Sequence, residues 1–154
     1  MEDLTTILKR DHRNLDSKLA ELSEADDSEQ EVLVDEIEAA FERHATLEEE
    51  LLYPHLAEEL GEAPAEEAQT EHDLARKGFE QLRELAGQPG FGAMVDMLRA
   101  GIKHHVQEEE KELLPQLKQR LDSDIWKEIA TEAAESQEQA DEGAGAKAPA
   151  RSKK

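Results

Sequence analysis

Apolar residues recur along most of this chain at the spacing of one helical face. Leu4, Leu8, Leu15, Leu19 and Leu22 form a stripe that includes His12, which predicts a helix from Asp3 to about Glu24. The acidic stretch Glu24 to Glu29 reads as a loop. A long second helix is expected from Ser28 or Gln30, with Val34, Ile37, Phe41, His44, Glu48, Leu51 and Leu52 on its inner side. Pro54 should bend that helix or end its regular hydrogen bonding, and Gly61 should close it.

Pro64 is placed to open a third helix at its first turn, with Ala68, His72, Ala75, Phe79, Leu82 and Ala86 facing inward. The stretch from Gly87 to Gly92, rich in glycine and proline, is the clearest loop in the chain. A fourth helix follows with Met94, Leu98, Gly101, His105, Glu109 and Leu113, and then meets Pro115. Four helices joined by short loops predict an all-α, antiparallel up-down four-helix bundle. Asp122 and Ser123 can cap a short fifth helix carrying Ile125, Trp126 and Ile129. The expected organisation is one bundle domain over 1–135, with its core in 1–121 and the short helix in 123–135. From Ser136 the chain turns to Glu, Gln, Ala and Gly, so 136–154 is expected to be a disordered tail.

Polar residues inside the stripes carry the chemistry. His44 is followed four residues later by Glu48 and ten later by Pro54, and His105 is followed likewise by Glu109 and Pro115. Positions i and i+4 lie one above the other on a helix, so each pair can offer an imidazole and a carboxylate to one metal ion. His12 precedes His44 by 32 residues, and His72 precedes His105 by 33. Arg10-Asp-His-Arg is answered by Thr70-Glu-His-Asp, so 1–60 and 61–121 look like an internal duplication. Small residues, Ala40 and Gly101, lie one turn before the paired histidines and would leave room for a facing imidazole or a small ligand.

A single histidine on an apolar stripe is ordinarily a hydrogen-bonded core residue, and a single helical glutamate is ordinarily at the surface. Burying four imidazoles and two carboxylates together changes the balance, because unpaired buried carboxylates cost several kcal/mol each (order of magnitude). Metal ions remove that cost. Four nitrogens and two carboxylates suit two borderline metal ions, iron above all. The set is His12, His44, Glu48, His72, His105 and Glu109.

In the fourth helix His104 and His105 are adjacent, and each has a glutamate four residues on. His105 alone matches His44 in its distance to the downstream proline and continues the Leu98, Gly101, Glu109 face. His104 points about 100° away and is expected to be partly exposed. His55, beyond Pro54, reads as a bundle-end residue rather than a further ligand. Glu112 and Tyr53 suit either a supporting place beside the ligands or an ordinary surface or packing role. The run Glu48-Glu49-Glu50 should supply one inward carboxylate and a solvated face.

Composition narrows the classes. There is no cysteine, which excludes disulfides, thiolate sites and cysteine nucleophiles. A net charge of −21 argues against nucleic acid and anionic membranes, and reads chiefly as a solvated surface. Few aromatics leave a core of Leu, Ala, Ile and Met, which favours packed helices. Met1-Glu-Asp-Leu has no basic or apolar leader, and no apolar run approaches membrane-spanning length, so a cytoplasmic protein is expected. Glu-x-x-His, which ferritin-like bundles use, does not occur, nor do His-Glu-x-x-His and the EF-hand loop.

The doubled His…His-x-x-x-Glu pattern resembles the hemerythrin-like, or HHE cation-binding, domains, over about residues 1–121. The resemblance implies a non-heme di-iron centre inside a four-helix bundle, with His12, His44, His72 and His105 as terminal ligands and Glu48 and Glu109 as bridges. The marine-invertebrate oxygen carriers of the wider family use a fifth histidine and a His-x-x-x-x-Asp spacing. This chain departs from both, which argues against stable oxygen carriage. Two irons bridged by the carboxylates and an oxo or hydroxo group would have about five ligands each, leaving a position for a small ligand. The expected function is therefore binding or turnover of oxygen, hydrogen peroxide or nitric oxide, including catalase-like decomposition of peroxide. The alternative is a non-enzymatic sensor, carrier or storage module for oxygen, nitric oxide or iron. No acid–base pair or nucleophile for a larger substrate accompanies the ligands.

Overall fold

Asp3 starts the first helix, because its carboxylate accepts the backbone N–H of Thr5 at 3.1 Å, and the chain then turns as α1, Leu4–Ser23. In this computed structural model residues 2–152 are described, with side chains described for 2–139. After a short link, α2 covers Asp27–Leu51, starting a little earlier than the sequence suggests because Asp27 and Glu29 suit a first turn. Pro54 has no N–H to continue α2. The helix ends at Leu51 and α3, Tyr53–Leu60, takes a new course, with Leu52 at φ −108. Gly61 then adopts φ 105, a conformation open chiefly to glycine, and links α3 to α4, Glu62–Leu85.

The second half meets its proline differently. Helix α5, Phe91–Glu108, passes into a π-helical turn, Glu109–Leu113, before α6, Leu114–Arg120. The N–H of Leu114 reaches back five residues to the Glu109 carbonyl, which opens the helix just ahead of Pro115. In the first half the Leu52 N–H still makes the regular four-residue return to the Glu48 carbonyl at 2.9 Å, so the widened turn belongs to the second half.

Helices α1 and α4 each pack against both α2 and α5, so the four form a closed helical bundle. Contacts between α2 and α4 run in opposite senses, pairing Asp35 with Arg83, Glu42 with Arg76 and Glu49 with His72. Between α1 and α5, Asp16 pairs with Arg99 at 2.7 Å. Gly78 permits close approach of α4 and α5, because a Cβ there would lie 2.8 Å from Leu98 Cδ1. The interior holds two apolar clusters. One contains Leu4, Leu8, Leu52, Leu56, Leu114 and Trp126, and the other Leu15, Phe41, Phe79, Leu82, Val95 and Leu98. The stripe histidines lie between them in sequence and in space, as a polar belt across an apolar core.

Two expectations change. Gly101 faces solvent, and Phe91, Val95 and Ile102 supply the inner face of α5 with Leu98, so only half-buried Ala40 could leave space beside a histidine. The C-terminal segment is also longer than a short helix: α7 runs Ser123–Ser152, through the stretch 136–152 expected to be disordered. Glu, Gln and Ala cannot build a core, yet they are good helix formers, and the first property does not preclude the second. Its opening turns are pinned by the Trp126 indole, which donates to Asp3 at 2.8 Å, and by buried Ile129, Ala130 and Ala133. Lys153 and Lys154 lie outside the described residues. No helix among the described residues is long and apolar enough to cross a membrane.

Candidate metal centre

The stripe positions bring His12, His44, Glu48, His72, His105 and Glu109 together from α1, α2, α4, α5 and the π-helical turn, all buried and with both glutamates at 0 % exposure. The inward nitrogens of His12 and His44 lie 3.1 Å apart and converge on one point. Glu48 Oε2 lies 3.1 Å from His44 Nε2 and 3.5 Å from His12 Nε2, and Glu109 Oε1 lies 3.3 Å from His12. On the other side Glu48 Oε1 is 3.1 Å from His72 Nε2 and 3.9 Å from His105 Nε2, while Glu109 Oε2 is 3.4 Å from His105. Each glutamate therefore turns one oxygen to each histidine pair. His12, His44, Glu48 and Glu109 form one chelating group, and Glu48, His72 and His105 a second.

Three of those oxygens, Glu48 Oε2 and both of Glu109, are buried without a hydrogen-bond partner. Such orphans are costly in a packed interior, each by roughly 1–3 kcal/mol or more for a charged group. A donor set of imidazole nitrogens and orphaned carboxylate oxygens fits cations of the borderline type. The residues present thus fit a metal centre.

The outer ring nitrogens are tied down in a pattern that sequence reading missed. His44 Nδ1 donates to Asp11 at 3.1 Å, His72 Nδ1 to Glu49 at 2.8 Å, His105 Nδ1 to Glu71 at 2.7 Å and His12 Nδ1 to Glu110 at 2.7 Å. An Nδ1–H held by a carboxylate aims the Nε2 lone pair inward and makes it a better ligand. Each of these acids is the sequence neighbour of one of the six inward residues: Asp11 and Glu71 precede His12 and His72, and Glu49 and Glu110 follow Glu48 and Glu109. Each also sits on the segment before the one whose histidine it holds, so α1 serves α2, α2 serves α4, α4 serves α5, and the turn after α5 serves α1. The signal lay in the repeated acid beside each motif residue, which an acidic chain disguises. Glu49 is not part of a solvated face; Glu50 is.

Tyr53 belongs to the site as well. Its buried hydroxyl lies 3.0 Å from His72 Nε2 and 3.4 Å from both His105 Nε2 and Glu48 Oε1. Burial, reinforced by the charges of Glu48 and Glu109, pushes its pKa far up, so the phenol keeps its proton. Half-buried His55 and exposed Glu112 join neither buried chelating group. His104 is 65 % exposed and lies outside the buried set.

Without metal, protons do part of the work. Burial lowers the His12 and His105 pKa values, but the close carboxylates of Glu109 and Glu48 outweigh it and raise both to about 11. For His44, burial is likewise outweighed by the Glu48 charge and the Asp11 hydrogen bond, and the value rises to about 9. Burial would raise the Glu48 carboxyl, yet the neighbouring histidines hold it well below the usual range. A cavity of about 650 Å³ lies on the outer side of His44, lined by Arg10, Asp11, Leu15, Arg43 and Gln137 among others. Gln137 of α7 donates to Asp11 at 2.6 Å, so the C-terminal helix reaches the support of His44.

The family model of the hemerythrin HHE cation binding domain matches residues 3–117. The chain is 26 % identical over 132 residues to a DNA nickase of Nostoc sp.. That match covers 84 % of this chain and 38 % of the nickase, so the chain spans well under half the length of this curated relative.

Proposed function

Because this chain belongs to the hemerythrin HHE cation-binding family, we propose that it is a non-heme di-iron protein acting on a small oxidant. The oxidant would be oxygen, hydrogen peroxide or nitric oxide, and peroxide decomposition is the enzymatic form of the reading. The proposed frame is an antiparallel up-down four-helix bundle over α1, α2, α4 and α5. His12 and His44 would hold one iron, and His72 and His105 the other. Glu48 and Glu109 would bridge them, with an oxo or hydroxo group completing the bridge. The observation that carries the proposal is the division of both buried glutamates between the two histidine pairs, with three oxygens otherwise unpartnered.

Two bound irons would supply the paired redox change that a two-electron oxidant requires. The chain's own residues do the rest. Phe41, Phe79 and the aliphatic clusters on either side exclude water from the belt. Asp11, Glu49, Glu71 and Glu110 fix the imidazoles. Tyr53 holds a proton at its hydroxyl, within reach of the His72 and His105 side, where it can donate a hydrogen bond to a small anionic ligand.

That donor also favours the second reading, a non-enzymatic sensor, carrier or storage module for oxygen, nitric oxide or iron, since a hydrogen bond retains a bound ligand. Nicking of DNA, the activity in the relative's name, is not proposed here, as a chain of net charge −21 repels a polyanion. A membrane role is not proposed either, and the proposed setting is the cytoplasm.

The decisive experiment combines metal analysis with oxygen-electrode traces. About two irons per chain, and sustained oxygen release from peroxide that Glu48→Ala abolishes, would support the enzyme. A reversible oxygen or nitric oxide spectrum without turnover would favour the sensor or carrier. A single zinc, or no metal, would remove the di-iron reading.

A further inference from the structure

We propose a second cation site on the outside of the bundle, formed by His104, Glu108 and Glu71, that takes one divalent ion of the borderline class. His104 Nε2 lies 2.8 Å from Glu108 Oε1 one turn on, and 3.8 Å from Glu71 Oε2 across the interface between α5 and α4. One nitrogen and two carboxylate oxygens thus lie within 4.8 Å of one another, a spacing that a single ion can span. The set offers three protein ligands and leaves further positions to water, as in accessible zinc-type sites.

Three features separate this cluster from ordinary surface acidity. First, His104 contributes an imidazole, and its side chain is 65 % exposed, so an ion can reach it while Glu71 and Glu108 sit deeper, at 18 % and 30 %. Second, Glu71 is already committed on its inner side, where Oε1 accepts from His105 Nδ1 at 2.7 Å. Its outer oxygen has His104 no nearer than 3.8 Å, a gap of the kind a cation fills. Two of the three corresponding acids are braced by neutral or cationic groups: Gln137 holds Asp11 at 2.6 Å, and Arg76 and Gln69 hold Glu49 at 2.9 and 3.2 Å. Third, the repeat does not generate the cluster. At the matching positions of the first half stand Asp11, Arg43 and Leu47, which cannot chelate.

The surroundings attract a cation. A depression of about 280 Å³ next to the cluster is lined by Glu67, Glu71, Glu108 and Glu112, and its one arginine, Arg120, is engaged by the Glu59 carbonyl at 2.6 Å. An ion here would hold Glu71 by the oxygen that His105 does not use, and so would sit one carboxylate away from the buried centre. The site itself stands on its own ligands. Only its connection to iron rests on the proposed function.

Calorimetric titration of the full, iron-loaded chain with Co²⁺ tests the site, alongside the His104→Ala and Glu108→Gln variants. The wild type should take up one Co²⁺ per chain, each variant should weaken that uptake about tenfold or more, and iron content should stay the same in all three. An unchanged isotherm in His104→Ala would overturn the proposal. So would loss of iron from that variant, which would place His104 in the buried centre. If none of the three proteins holds iron, the di-iron reading falls, and the difference between the wild-type and His104→Ala isotherms still decides the outer site.

Discussion

Glu49 and Glu50 stand side by side in a run of glutamates, and replacing each with alanine should give very different proteins. Glu49 accepts from His72 Nδ1 at 2.8 Å and also meets Arg76 at 2.9 Å and Gln69 at 3.2 Å. Losing the contact to Arg76 costs little, because the guanidinium keeps Glu42 at 2.9 Å and Asp73 at 2.8 Å, and partly exposed ion pairs contribute only about 0–1 kcal/mol. The loss at His72 is larger. A buried ring nitrogen left without its acceptor costs about 1–3 kcal/mol, and a metal ligand deprived of its orienting carboxylate loses roughly 10–100-fold in affinity. Glu49→Ala should therefore release iron to a chelator about 10–100-fold more readily and unfold at lower urea. Glu50→Ala, exposed and outside this chain of contacts, should match wild type in both measurements. Equal behaviour of the two variants would refute the assignment of Glu49 to His72.

Four further outcomes are expected. His105→Ala and Glu109→Ala should each lose metal, while Glu108→Ala keeps iron, as elemental analysis would show; the reverse pattern would put the ligand register one residue out. Tyr53→Phe removes only a hydroxyl and should leave iron content intact, yet slow peroxide turnover or shorten ligand retention by about 10²-fold, as stopped-flow spectra would record. Metal-free protein should release protons on taking up iron, with apparent affinity rising with pH, because His12, His44 and His105 are raised from 6.5 to about 11, 9 and 11. Raised histidine values contribute stability that is complete below pH 6.5 and lost as pH climbs through about 9 to 11, so the metal-free melting temperature should fall over that window.

The six inward groups were legible in the sequence because each breaks an apolar stripe at helical spacing, and a polar residue buried on such a stripe needs a reason to be there. The register between His104 and His105 followed from the same stripe, and the structure brings His105 inward and leaves His104 outside. The four acids behind the histidines were not legible. They lie at the bundle's boundary, where an acidic residue has the same appearance whether it meets water or an imidazole, and only the approach of a neighbouring helix distinguishes the two. Tyr53 was ambiguous for a related reason: its direction depends on how the chain turns at Pro54, and that turn puts its hydroxyl against His72. The π-helical turn left no trace beyond Pro115, and the length of α7 none at all, since Ala, Glu and Gln carry helix propensity without a periodic face.

The circular way in which each segment steadies the next one's histidine bears on ancestry. Within the first half, Asp11 and His44 satisfy each other, which leaves His12 without an acid and Glu49 without an imidazole. The second half satisfies Glu71 with His105 and offers the complementary remainder, His72 and Glu110. Two copies of either half, related by a two-fold axis, would close the same circle, because residue i of one copy would meet residue j of the other and the reverse. A half-length precursor would thus have had no centre as a monomer and a complete one as a symmetric dimer. The halves are no longer identical around that circle, since one carries Arg43 where the other carries His104.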